Sequence, residues 1–201
     1  MASSLAPMGA QRMEIFDSRA YTLVRPLFSF RRIWRVLDGF DRLVMFVEHP
    51  IFRIRDEWIL YADEEATRPL LVVKQRRLAL LNTEHDIFDA LSGERLGGLR
   101  ERGLRSIFRD QWDILGPDEA PAGEMVEEGH AFLRRLFRFM TSRHRIDLGG
   151  RTLARLRQEF RFFAREFSLS LSQVDDPVDP RFAIACALIA AQKDLRRRSS
   201  E

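Results

Sequence analysis

The sequence is poor in cysteine, in lysine and in long apolar runs. Its single cysteine, Cys186, excludes an intramolecular disulfide bond. Only Lys74 and Lys193 among its 33 basic residues are lysines, so arginine carries almost all of the positive charge. The longest apolar stretch, 182–191, is about half of what a bilayer-spanning helix needs. The first residues lack the basic segment and apolar core of a signal peptide. We therefore expect a cytoplasmic protein, soluble or peripheral at a membrane.

The charge balance and the missing motifs limit the class of protein. A formal net charge of +3 permits anionic partners. The arginines are scattered along the chain, whereas nucleic-acid binding needs them gathered in a continuous patch. The histidines are not spaced as zinc ligands, and the sequence has no phosphate loop, nucleophile elbow or HExxH pattern. We therefore expect no enzyme, no cofactor and no nucleic-acid partner.

A near-repeat indicates that one supersecondary unit is reused. Residues 55–60 read RDEWIL, and residues 109–115 read RDQWDIL. The first copy follows a Leu-Asp-Gly turn at 37–39 and the second follows Asp89 to Gly93, while a third unit opens at 145–150. Recurrence at a spacing of roughly 50 residues predicts neighbouring copies that share a core.

Short runs of β-forming residues, separated by turns, dominate from Tyr21 onward. Phe167, Leu169 and Leu171 alternate with serines, which predicts a strand with one apolar face. The pair of glycines at 149–150 predicts a tight hairpin, because glycine tolerates positive φ at both turn positions. Two segments break this pattern. The segment 103–109 is too short for more than about two helical turns, and 130–140 places Phe, Leu and Met on one helical face.

The last element is predicted to be a helix at about 180–196. Asp179 can cap it, Pro180 suits its first turn, and the arginines at 196–198 suit its C-terminal dipole. The stretch 182–191 is apolar on every side, which predicts burial on every side. Its many alanines make this helix narrow. A narrow apolar helix after eleven or twelve strands suggests a barrel that encloses its own C-terminal helix. We expect one domain at 19–198, preceded by a flexible leader at 1–18.

These segments, in this order, resemble the tubby C-terminal-like superfamily. Within it the chain is most similar to the phospholipid-scramblase and LURP-one-related branch, especially its small bacterial members. The similar stretches are 34–38, 52–57, 70–75, 86–89, 97–100, 103–106, 109–112, 167–169 and 178–180. The resemblance implies a mainly β fold, a closed antiparallel barrel of about twelve strands around a hydrophobic C-terminal helix. It also implies a membrane-facing role, since tubby domains bind phosphoinositides and scramblases are associated with lipid movement.

Basic residues beside apolar ones are the candidate lipid contacts. The planar fork of arginine suits phosphate oxygens. Each group also has a structural interpretation: a strand edge protected by charge at 74–77, a turn that plugs one barrel end at 100–109, and the same plugging role for the segment 132–140. The candidates are Lys74, Arg76, Arg77, Arg102, Arg105, Arg134, Arg135 and Arg138.

Three aspartates before the last helix are the weak candidates for a metal. Asp175, Asp176 and Asp179 lie where animal scramblases carry a proposed calcium-binding segment, and carboxylate oxygens suit Ca²⁺. The spacing of an EF-hand loop is missing, and turn formation and helix capping explain all three. We therefore expect no metal site.

Two hypotheses about function follow. The first is a non-enzymatic domain that docks on anionic phospholipid surfaces through arginine-rich patches. The alternative is a soluble adaptor barrel that binds a protein partner, with its arginines paired to the 30 acidic residues across a solvated surface.

Overall fold

The computed structural model describes residues 16–27, 33–48, 57–79, 82–103, 110–128, 141–172 and 179–199. These residues form twelve strands and one helix. The elements are β1 (Ala20–Pro26), β2 (Ile33–Asp38), β3 (Leu43–Glu48), β4 (Glu57–Tyr61), β5 (Pro69–Ala79), β6 (Asn82–Asp89), β7 (Arg95–Glu101), β8 (Gln111–Leu115), β9 (Pro121–Glu127), β10 (Arg143–Leu148), β11 (Arg151–Glu159), β12 (Ala164–Leu171) and α1 (Pro180–Ser199).

The strands close into an antiparallel barrel, as the sequence predicts. Each strand pairs with its neighbour in the chain, and β1 pairs with β12 from Ala20 opposite Ser170 to Pro26 opposite Ala164. Closure removes the unpaired edges that an open sheet presents. Because neighbours run antiparallel, the connections alternate between the two ends of the barrel. We call the end at which α1 begins the lower end and the end at which it finishes the upper end.

The near-repeat in the sequence falls on β4 and β8. Trp58 and Trp112, the aromatic residues of the two copies, are both buried in the core. The turns that precede the copies join β2 to β3 and β6 to β7, and the turn of the third unit joins β10 to β11. The two copies therefore lie four strands apart, and the three turns are likewise spaced four strands apart.

The turn and strand predictions near the C-terminus are confirmed. Gly149 and Gly150 have φ angles of 56° and 77°, and they join β10 to β11 in a two-residue hairpin. On β12, Phe167 and Leu169 are fully buried, while Ser170 between Leu169 and Leu171 is exposed. The period-two pattern thus identified the inward face of this strand.

The helix is buried along its apolar stretch. Every residue from 182 to 191 is at most 5% exposed. Asp179 caps the first turn, since its Oδ1 accepts a hydrogen bond of 2.9 Å from the backbone N–H of Arg181. A Cβ atom at Gly97 on β7 would lie 2.7 Å from the ring of Phe182, so a glycine is needed for the helix to approach this strand.

Polar contacts fix α1 at both ends. At the lower end Arg181 forms ion pairs with Asp89 at 2.7 Å and with Asp179 at 2.6 Å. At the upper end the side-chain oxygen of Gln192 accepts a hydrogen bond of 3.1 Å from Trp34 Nε1. Specific polar pairs therefore fix both ends of the helix inside the barrel.

Candidate functional site at the upper end of the barrel

The apolar interior gives way to polar side chains at the upper end. Side chains alternate across a strand, so a residue two positions beyond a core residue also faces inward. Glu101, Glu127 and Gln158 follow core residues in this way and continue the inward rows of β7, β9 and β11 upward. The upper mouth of the barrel is thus lined by groups that hold charge and hydrogen bonds.

Lys193 on α1 is at the centre of this polar layer. Its ammonium group forms an ion pair with Glu101 and lies 3.1 Å from Asp110 Oδ1. It also lies 4.8 Å from the centroid of the Trp112 ring, within the range of a cation–π contact. One of the two lysines in the chain is therefore a half-buried counter-ion, which its place after the apolar stretch of α1 did not reveal.

A second group of inward side chains lies beside Lys193. Asp110, Glu127 and His144 are each 1% exposed, and one potential ligand atom from each lies within 4.8 Å of the others. The backbone N–H of Asp110 donates to Glu127 Oε2 at 3.3 Å, and the His144 ring lies 5.7 Å from that of Trp112. Sequence reasoning missed this cluster. The sequence did contain a signal for it, because side chains alternate along a strand and Glu127 and His144 each lie two residues from a core residue of the same strand.

A small cavity adjoins these groups between the strands and α1. Its volume is about 100 Å³, enough for a few water molecules or a small ion. Both polar and aromatic side chains line it: Trp58, Gln75, Thr83, His85, Glu101, Trp112, Ile189, Gln192, Lys193 and Arg196.

An exposed aromatic tip projects from the same end of the barrel. Phe160, Phe162 and Phe163, in the connection between β11 and β12, are 60%, 78% and 76% exposed. The rings of Phe160 and Phe162 contact each other edge to face at 5.3 Å. Leu27, also exposed, donates its backbone N–H to the Phe163 carbonyl at 3.1 Å. Contiguous exposed apolar groups mark interaction sites, and the sequence signal for this one was the run Phe-Arg-Phe-Phe.

Two of the predicted lipid contacts lie on the outer face of β5. Arg76 forms ion pairs with Glu84 at 2.5 Å and with Asp86 at 2.7 Å, and Arg100 contacts Glu84 from the other side at 2.6 Å. Glu84 is fully buried by these partners. Lys74 is exposed, with its ammonium group 5.2 Å from the Phe88 ring. Arg76 is thus engaged in holding the strands together.

Arg102 is similarly paired with carboxylates. Its guanidinium group contacts Asp113 at 2.6 Å and Glu124 at 3.1 Å, and the hydrogen bond it donates to Asp113 raises the pKa of Arg102. Asp179, a weak metal candidate, serves as helix cap and partner of Arg181. The remaining candidates lie outside the residues whose side chains are described: Arg77, Arg105, Arg134, Arg135, Arg138, Asp175 and Asp176.

The connections at the two ends of the barrel differ in composition. Those at the upper end, residues 27–32, 49–56, 80–81, 102–110, 128–142 and 160–163, contain eleven arginines, three acidic residues and ten of the 16 phenylalanines. Those at the lower end, residues 39–42, 62–68, 90–94, 116–120, 149–150 and 172–179, contain ten acidic residues, two arginines and one phenylalanine. Parts of these segments lie outside the described residues. The described strands fix the end at which each segment begins and finishes.

The fold and this site define a class of protein: a closed twelve-stranded barrel around a central helix, with polar and aromatic groups at one mouth. No family model matches the chain, and no curated protein matches it. A solved structure with the same overall fold is that of the Arabidopsis thaliana protein AT5G01750. The TM-score is 0.51 at 12% identity, over 89% of this chain and 93% of that one. At this identity the similarity concerns the fold alone. Among the described residues, no helix is both long enough and apolar enough to cross a bilayer.

Proposed function

We propose that this domain binds peripherally to anionic phospholipid surfaces through the upper end of the barrel, without catalysing a reaction. The observation that carries the proposal is the aromatic tip, Phe160, Phe162 and Phe163, at the end whose connecting segments are rich in arginine. Proteins that lie on membranes combine apolar residues that enter the acyl boundary with basic residues that meet the headgroups.

Charge supports the orientation. The upper-end connections have a formal net charge of +8, from eleven arginines and three acidic residues, and the lower-end connections have −8, from ten acidic residues and two arginines. A basic residue near an anionic membrane contributes on the order of 1 kcal/mol. The same field repels the lower end, so the barrel would dock with its long axis directed toward the bilayer.

The aromatic tip supplies the second contribution. Full burial of a phenylalanine side chain is worth about 1.5–3 kcal/mol, and shallow insertion gives a part of that. Arg161, between the exposed rings, is 61% exposed and pairs with Glu166 at 3.1 Å. Its position would keep a cation at headgroup level while Phe162 and Phe163 enter the interface.

Vesicle co-sedimentation tests the proposal. We expect the full chain to sediment with vesicles that contain an anionic lipid, to do so less in high salt, and to ignore purely zwitterionic vesicles. Phe162→Ala combined with Phe163→Ala should reduce binding at least about fivefold, the equivalent of about 1 kcal/mol. Phe40→Ala is the matched control, because Phe40 is 78% exposed at the lower end.

Two results would count against lipid binding. One is the absence of sedimentation with every vesicle composition, which would favour the soluble adaptor barrel and a protein partner. The other is an equal effect of the tip and control variants, which would show that the aromatic tip does not contact the membrane.

A further inference from the structure

Three buried side chains from three neighbouring strand ends converge beside α1. Asp110 immediately precedes β8, Glu127 ends β9, and His144 lies near the start of β10. Glu127 and His144 are direct cross-strand partners. The backbone N–H of Glu127 donates to the Asp110 carbonyl at 2.9 Å. The barrel sheet therefore fixes the positions of all three residues before any ligand arrives.

We propose that Asp110, Glu127 and His144 form a binding site for one divalent transition-metal ion, with Zn²⁺ as the probe. The site is independent of the membrane proposal. Ligand bonds of about 2.1 Å in tetrahedral geometry put ligand atoms about 3.4 Å apart. The three candidate atoms already lie within 4.8 Å of one another. Side-chain movements of about 1 Å, without any change in the strands, would close the site.

The ligand types select the kind of ion. One imidazole with two carboxylates suits zinc, iron or manganese, whereas calcium prefers six to eight oxygen ligands. The carboxylates of Asp110 and Glu127 are both 1% exposed, and buried charge is costly unless it is balanced. Lys193 is shared between Asp110 and Glu101, and a divalent cation would bring further positive charge to this group of carboxylates.

Lys193 allows us to predict the direction in which the metal affinity should change. Its ammonium group lies 3.1 Å from Asp110 Oδ1 and is shared with Glu101. An ion bound by Asp110 would compete with this lysine and be repelled by it. Lys193→Met should therefore strengthen Zn²⁺ binding, and it should also make the stability of the protein depend more strongly on Zn²⁺.

The test is calorimetric titration of the chelator-treated full chain with Zn²⁺, together with melting temperatures with and without the ion. We expect one ion per chain and a rise in melting temperature. Glu127→Gln and His144→Gln should each weaken binding at least about tenfold, since even outer-shell partners of a metal contribute that much. Asp110→Asn gives a third variant if either of these fails to fold. His85→Gln is the matched control, because His85 lines the neighbouring cavity.

The outcomes separate clearly. Absence of saturable binding by the folded protein would overturn the proposal, as would binding that all three ligand variants retain unchanged. An unchanged or weaker affinity in Lys193→Met would overturn the placement of the ion beside that lysine. Ligand variants that lose zinc binding but keep vesicle binding, and tip variants that lose vesicle binding but keep zinc binding, would show that the two proposals stand or fall separately.

Discussion

The ion pair between Asp89 and Arg181 should make the anchoring of α1 sensitive to acid. Burial by itself would raise the pKa of Asp89, but hydrogen bonds from the backbone N–H groups of Ser92 and Leu91 and from Arg181 outweigh it and lower the pKa to about 2. The side chain is only 12% exposed, so solvent screens this pair weakly. Asp89 joins the turn between β6 and β7 to the first turn of the helix.

The size of the effect follows from the shift. A pKa lowered from 3.8 to about 2, at about 1.4 kcal/mol per unit, corresponds to about 2.5 kcal/mol of stability at neutral pH. Because the folded-state pKa is the lower one, this stability is present above about pH 4 and is lost as the pH falls toward about 2. Asp89→Asn keeps an acceptor for the turn but removes the charge, so we expect a loss of about 2 kcal/mol at pH 7.

Urea unfolding monitored by tryptophan fluorescence measures this, since Trp34, Trp58 and Trp112 are all buried. The difference between parent and Asp89→Asn should be constant from pH 7 to about pH 5 and should shrink toward pH 2. Glu94→Gln removes an exposed charge from the same turn and serves as the control. A loss of the same size in both variants, or a difference that does not change with pH, would refute the reasoning.

Three further predictions concern packing. A Cβ at Gly123 would overlap the Asp147 carbonyl oxygen, whereas a Cβ at Gly39 would meet the movable Ser18 side chain at 3.3 Å. Gly123→Ala should therefore lower the free energy of unfolding by about 3 kcal/mol, and Gly39→Ala by much less, when both are measured by urea unfolding. Burial raises the pKa of Cys186, so a thiol reagent at pH 8 should label it only in urea, and rapid labelling of the native protein would contradict its place in the core. Ala187 is fully buried on α1, so Ala187→Leu should lower stability by about 1–3 kcal/mol, and a neutral result by thermal denaturation would indicate unfilled space around the helix.

Local patterns in the sequence predicted the elements of the fold well. The glycine pair at 149–150, the alternation on β12 and the apolar stretch of α1 each follow from the preferences of a few adjacent residues. The near-repeat predicted the reuse of a unit, which the structure places on β4 and β8. Parts of the predicted basic patches, among them Arg134 and Arg138, lie outside the described residues, so their contribution to lipid binding stays a prediction.

The tertiary structure decided which side chains meet. Arg76 and Arg102 looked like surface cations in the sequence, but closure of the barrel places carboxylates from neighbouring strands beside them. No local pattern joins Asp110, Glu127 and His144, because they come together only through the register of three strands.

Sequence by itself therefore determined the strands, the turns and a central buried helix, because these depend on period and turn chemistry over short stretches. The closed antiparallel pairing of all twelve strands alone decided at which end of the barrel each connecting segment begins and finishes. The segments that join strands at the upper end are rich in arginine and phenylalanine in sequence, and those at the lower end are rich in acidic residues. Long-range pairing sets which groups are neighbours, and a linear pattern does not record it.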